Sequence, residues 1–236
     1  MGREVAPQAA LEAWGGGKVL TRLKGGARST AFMVDTAGGF AVLRRHSESE
    51  ASLRWLRRAL RLTERAGLTV PHPIAAEGGW LGIGGWRLER WIDGKPAAGA
   101  DLKRLSARIA AVHRSGQSLP DRPGAPPLAD WATDGAPVLE LCRRATAKRP
   151  FTLIHGDLHV GNLLRLPGGG YALLDWDEAR RDSPAFDMAA LVRPSGSGAQ
   201  KTLHLAYETA SGWRTEPAYA RGMARRLMAR ANRPCS

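Results

Sequence analysis

The stretch Thr152–Leu164, TLIHGDLHVGNLL, constrains this chain more than any other. Two histidines, an aspartate, an asparagine and two glycines sit inside a frame of Leu and Ile, so a polar loop is held between strand-like runs. Two chemistries suit such a loop: a metal site, or the catalytic loop of a phosphoryl-transfer enzyme. His155 and His159 are four apart, a spacing that shares one face of a helix, yet Gly156, Gly161 and the strand-like flanks argue against a helix. No cysteine or third histidine nearby completes a zinc set. Asp157 and Asn162 instead have the spacing of the acid and amide in H-x-D-x-x-x-x-N, here H-G-D-L-H-V-G-N. Asp175 follows 18 residues after Asp157 at the end of YALLDW, where a second strand delivers a carboxylate beside the loop. Phosphoryl transfer calls for this inventory. One carboxylate accepts the hydroxyl proton, while another, with an amide oxygen, holds Mg2+ against the phosphates.

The rest of the chain predicts two kinds of structure. KVLTRL, GGARS, TAFMVD and FAVLRR alternate apolar residues with glycine-rich breaks, the pattern of antiparallel hairpins. From Ser49 to Ala66, Leu53, Leu56, Leu60 and Thr63 recur at helical steps among arginines, and Gly67 and VPHP end the helix. GWLGI and WRLERWI predict two more strands, closing at Asp93-Gly94. After Asp101 the pattern turns helical, with Leu102, Leu105, Ile109 and Val112 on one face up to His113. A proline-rich loop (Ser118–Trp131), a helix over Pro137–Ala147 and a hairpin of FTLIH, NLLRL and YALLDW follow. Helices are expected again from Ala185 onward, interrupted by RPSGSG. The expectation is an α+β fold in two lobes, residues 1–95 strand-rich and residues 96–236 mostly helical.

Bulk properties narrow the function classes. At 236 residues, 43% hydrophobic and 24% charged, the chain has the composition of a globular protein that buries a real core. No window approaches the roughly 20 apolar residues of a membrane span. The N-terminus, with Glu4 and Glu12, makes a poor signal peptide, and Ala6 breaks the myristoylation pattern. Cys142 and Cys235 form neither a metal spacing nor a disulfide framework. A cytoplasmic address without a membrane partner is expected. The net charge of +13 is spread along the chain, with one arginine cluster near the C-terminus. No aromatic residue interleaves with Arg225, Arg226 and Arg230 as a stacking platform requires, so nucleic acid is not the expected partner.

HGDLHVGNLL, followed by LLDWDEAR and AFDMAAL, resembles the aminoglycoside phosphotransferase and choline kinase superfamily, small-molecule kinases that share the eukaryotic protein-kinase fold. The resemblance runs in order along nearly the whole chain. It implies that Asp157 is the catalytic base, that Asn162 and Asp175 are magnesium ligands, that His155 shapes the loop and that Asp187 braces it from the following helix. Asp177 and Glu178 stand just after Asp175 as further candidate contacts. LKGGARSTAF occupies the place of the phosphate-covering hairpin, which assigns Gly26 and Ser29 to the nucleotide. The kinase lysine falls at Arg44, a residue that grips phosphate with a different reach and geometry. Its acidic partner is expected at Glu50, with Glu48 the runner-up, on a link shorter than the family's usual one. RLERWIDGKP resembles the adenine-binding hinge around Glu89–Trp91. GGGK at Gly15–Lys18 is followed by Val19 and is no Walker motif.

The implied activity is an ATP-dependent, Mg2+-requiring transfer of phosphate to a hydroxyl of a small molecule. A basic chain suits an acidic antibiotic groove poorly, which ranks metabolite alcohols and amino sugars above aminoglycosides. The alternative is a catalytically inactive kinase-like module that binds nucleotide; the complete Asp157, Asn162 and Asp175 set argues against it.

Overall fold

The computed structural model describes residues 6–23, 30–127, 138, 140–142, 150–191, 198–213 and 216–231. The expected strand GGARS, with Gly26 and Ser29, and most of the expected helix Pro137–Ala147 lie outside the described residues. The chain divides into two compact units: Met1–Lys95 with Leu164–Leu174, and Pro96–Leu163 with Asp175–Ser236. The stretch 164–174, expected to stay with the C-terminal part, thus belongs to the first unit.

In the first unit, α1 (Pro7–Ala10) leads into an antiparallel sheet of β1 (Lys18–Arg22), β2 (Ala31–Thr36), β3 (Gly39–Arg45), β4 (Pro73–Ile74) and β5 (Trp86–Arg90). The strand order is β1-β2-β3-β5-β4. Alternation sends Val34, Ala41, Leu43, Trp86 and Leu88 to one face, where they bury against Ala10 and Leu11. α2 (Glu50–Arg65) starts where the Ser49 side chain accepts the Ser52 N–H, and its stripe of Leu53, Leu56, Leu60 and Thr63 is buried. Each of those leucines contributes roughly 1.5–3 kcal/mol by leaving water. GWLGI (Gly79–Ile83), expected as a strand, forms no ladder: Gly79 ends a 3-10 turn over Glu77–Gly79, and Ile83 makes an isolated bridge to Trp86. Positive φ at Gly79 breaks the extended run at its start, and Gly84 and Gly85, also at positive φ, turn the chain directly after it. The arm 164–174 docks through Thr69, whose N–H and carbonyl bond Tyr171 and Leu173 at 3.1 and 2.9 Å.

Between the units' stretches, β6 (Lys95–Pro96) is a two-residue strand. The second unit contains α3 (Gly99–Arg104) and α4 (Ser106–Ser115), broken at Leu105 where a continuous helix was expected. β7 (Thr152–Ile154) precedes the polar loop; β8 (Leu163–Arg165) and β9 (Tyr171–Leu173) follow it, and then come β10 (Arg180–Asp182), α5 (Ala185–Leu191), α6 (Gly198–Gly212) and α7 (Pro217–Ala231). The expected hairpin splits. β8 does pair with β9, but β7 pairs antiparallel with β10, in the register Ile154 to Arg180 and Thr152 to Asp182. β10 has no apolar alternation, and its Arg180 and Asp182 are buried because they bond each other at 2.9 Å. Ile154 and Phe186 join Ala206, Ala210 and Leu227 of α6 and α7 in the core of this unit. Among the described residues no helix is long and apolar enough to cross a membrane.

Candidate active site

The loop that begins at His155 is gripped by its backbone. Asp187, buried on α5, accepts the N–H of His155 at 2.9 Å through Oδ2 and that of Gly156 at 3.1 Å through Oδ1. Its Oδ2 also lies 3.0 Å from Nε2 of His113 on α4. Burial alone would raise the Asp187 carboxyl; the His113 bond and the charges of His113 and His155 outweigh it and hold the group below the usual range. Gly156 sits at φ 86, with the Glu178 carbonyl where a Cβ would stand, so any side chain there collides. The Tyr207 hydroxyl, reaching from α6, donates to the Gly156 carbonyl. Burial pushes the Tyr207 phenol above its ordinary value, so it stays a donor. The His155 ring stands edge-on to Trp176 at 4.7 Å, and its Nδ1 accepts the Asp157 N–H at 3.2 Å.

This scaffold presents Asp157 with its side chain 52% exposed. Asn162 is buried, and its Nδ2 donates to the Asp157 carbonyl at 3.0 Å and to Oδ2 at 3.4 Å. His159 Nε2 lies 3.5 Å from the same Oδ2. Hydrogen bonding from His159, helped by the charges of His159 and His155 and by the Asn162 amide, holds the Asp157 carboxyl below its usual range despite partial desolvation. His159 Nδ1 accepts the Gly161 N–H at 3.0 Å and caps a 3-10 turn over Val160–Asn162. The two histidines therefore share no helix face. Among the described residues no group of three or more His, Cys, Asp or Glu side chains forms a metal cage.

Asp175 sits at φ 59, the only non-glycine residue with positive φ among those described. Magnesium is held by one or two protein oxygens plus substrate phosphates, so it needs no protein cage. Asp175 and Asn162 offer such donors: with Nδ2 of Asn162 committed to Asp157, its amide oxygen is the atom left to meet a cation. The residues present fit that ion.

In the first unit the expected ion pair is corrected. Glu50 turns back within α2 to Arg54 at 2.8 Å and accepts the Leu81 N–H at 3.0 Å. Arg44 pairs with Glu89 at 3.4 Å. The reason is register: Arg44 stands opposite Arg87 across β3 and β5, which brings Glu89, two residues along the same face, beside it. Arg87 is 1% exposed and completes the chain of charges, bonding Glu89 at 2.8 Å and Glu48 at 2.5 Å. Glu48, the runner-up, thus ties the start of α2 to the sheet through Arg87. The Glu89 side chain is spent on this network, and the Trp91 indole N–H donates to Asp93 at 2.7 Å.

Residues 19–224 match the model of the phosphotransferase enzyme family. The chain belongs to that family. No curated protein sequence matches it. Among solved structures, it is similar to the choline kinase LicA from Streptococcus pneumoniae at 14% identity and a TM-score of 0.61, over 90% of this chain and 94% of that one. It is also similar to a thermostable mutant of aminoglycoside phosphotransferase APH(4)-Ia in ternary complex with ADP and hygromycin B. That match has 15% identity, a TM-score of 0.62 and coverage of 95% and 98%. A third similar structure is an aminoglycoside phosphotransferase from Alicyclobacillus acidocaldarius, at 14% identity and a TM-score of 0.54 over 98% and 93%. The phosphotransferase fold here is the α+β, protein-kinase-like fold of these structures.

Sequence reasoning missed several residues that build this phosphotransferase's loop. His113, Tyr207 and the buried Arg180, whose guanidinium stacks over the Tyr207 ring at 5.2 Å, carried no local signal. Asp157 lines a partly open pocket together with Phe186, His204, Tyr207 and Glu208. Glu208 accepts the Tyr219 hydroxyl at 2.9 Å and lies 3.5 Å from His204.

Proposed function

We propose that the chain is an ATP-dependent O-phosphotransferase that moves the γ-phosphate to a hydroxyl of a small molecule, with Mg2+ as cofactor. One observation carries the reading. A carboxylate held in its ionised form, Asp157, stands at a pocket wall with its loop anchored by Asp187 and Tyr207 and its side chain steadied by Asn162. In this role Asp157 accepts the proton of the acceptor hydroxyl and orients that oxygen toward the phosphorus. Asn162 and Asp175 would hold magnesium, which when bound offsets the negative charge of the phosphates. Arg44 is assigned to the phosphates and the backbone at Trp91 to adenine, with Gly26 and Ser29 in the phosphate-covering segment. Glu50 leaves the nucleotide set, because its bonds stay within its own surroundings.

The pocket also bears on the acceptor. Asp157 and Glu208 both line it, so it is locally acidic in a chain whose net charge is +13. A local field outweighs a dispersed surplus at a few ångströms. That favours acceptors carrying an amine beside the hydroxyl and keeps amino sugars in the first rank.

An ATP-consumption screen across amino alcohols, amino sugars, neutral sugar alcohols and aminoglycosides tests the reading, with product phosphorylation followed by mass spectrometry. A phosphorylated product formed only with Mg2+ supports it. ATP binding with no product across the panel supports the inactive module instead.

A further inference from the structure

The side chain least explained by this reaction is Arg122. It projects from a tight turn closed by the Ala125 N–H on the Arg122 carbonyl at 3.0 Å. Despite its charge it is 2% exposed. Its Nη1 donates to three backbone carbonyls: Trp176 at 3.4 Å, Asp177 at 3.0 Å and Ala179 at 2.6 Å. The preceding residue, Asp121, pairs with Arg181 of β10 at 3.2 Å, so the turn is fastened at two adjoining points.

All three carbonyls belong to the segment that starts directly after Asp175, the residue at φ 59. That left-handed backbone is uncommon outside glycine, though aspartate takes it more readily than most, and it persists where the surroundings hold it. Three carbonyls converging on one nitrogen pin the chain immediately downstream, and the pinned segment fixes the direction from which Asp175 leaves it. Burial pulls the Arg122 guanidinium down to about 10, opposed by the charges of Asp177 and Glu178, so the carbonyl oxygens stand in for the water it has lost.

We propose that Arg122 is a positioning residue for the metal site: it gathers the carbonyls of Trp176, Asp177 and Ala179 and thereby holds Asp175 in the backbone conformation that presents its carboxylate to the divalent cation. The inference rests on the reading of Asp175 as a magnesium ligand. A packing arginine would be replaceable by an apolar side chain of equal length without effect on the metal. A positioning arginine would not.

The test compares the wild type with Arg122→Met and Arg122→Lys, using amide hydrogen exchange without ligand and calorimetric ADP binding across a Mg2+ titration. In the wild type the amides of residues 177–180 exchange slowly; Arg122→Met speeds them about tenfold while those of α7 stay as they were. Without Mg2+ the variant binds ADP within about twofold of wild type, but the Mg2+ midpoint for ADP tightening rises about tenfold or more. Arg122→Lys, which keeps the charge on a different reach, falls between the two. Fast exchange of residues 177–180 in the wild type overturns the proposal even if neither variant folds. A folded Arg122→Met protein with unchanged exchange and Mg2+ midpoint, beside a Mg2+-responsive wild type, overturns it alone. A wild type whose ADP affinity ignores Mg2+ overturns the metal reading of Asp175 and this inference with it.

Discussion

The Asp187 carboxylate lies 3.0 Å from the imidazole of His113, both side chains buried, and the bond joins α5 to α4 across 74 positions of the chain. The same carboxylate holds the N–H groups of His155 and Gly156. Asp187→Asn leaves these partners facing a neutral amide. It is expected to cost about 3–5 kcal/mol at neutral pH, as removal of one partner of a buried charged network does. The sign with pH follows from the depressed folded-state carboxyl: its stabilisation is complete above the unfolded value of about 3.9 and fades as pH falls through the lower folded value. Urea midpoints of wild type and variant should therefore lie far apart at neutral pH and draw together in acid. A gap that stays constant into acid would show that charge is not what Asp187 contributes.

Asp157→Asn is expected to lower kcat by about a thousandfold, within the range for loss of a general base, while ADP affinity changes by no more than about twofold. Asn keeps the size of the side chain and loses the basic oxygen. Steady-state rates on the acceptor found by the screen, with ADP calorimetry, check both halves; near-normal turnover would remove Asp157 from the base role.

His159→Ala tests the origin of the depressed Asp157 carboxyl. The His159 hydrogen bond is its leading cause, so the acid limb of the kcat profile should move to higher pH while the rate at neutral pH stays close to wild type. An unmoved limb would assign that limb to another group.

Glu89→Gln and Glu50→Gln separate the two candidate partners of Arg44. Glu89 touches both Arg44 and Arg87, so its neutralisation should weaken ATP binding by about tenfold and lower the melting temperature. Glu50→Gln should leave ATP affinity within about twofold, since only the helix-surface pair with Arg54 and the Leu81 contact change. The reverse order would restore Glu50 as the partner.

The polar loop from His155 to Asn162 was legible because its residues lie within one short stretch between strand-like flanks. The α2 stripe was legible for the same reason, since a helix repeats its contacts every three or four residues. The network around Arg44 was not. Whether Glu50 or Glu89 meets it depends on the pairing register of β3 and β5, and register is a relation between strands more than 40 positions apart. β10 escaped because a strand buried through the Arg180–Asp182 pair has no apolar alternation to read.

By itself the sequence determined which side chains are candidates for the chemistry and where the polar loop and the α2 stripe lie, because helical period and loop spacing act over a few residues. Tertiary structure alone decided what supports them: His113 beneath Asp187, Tyr207 on the Gly156 carbonyl, Arg122 on the segment after Asp175. Those bonds span 74, 51 and 55 positions of the chain, distances over which neither propensity nor period carries information and only the packed core brings donor to acceptor.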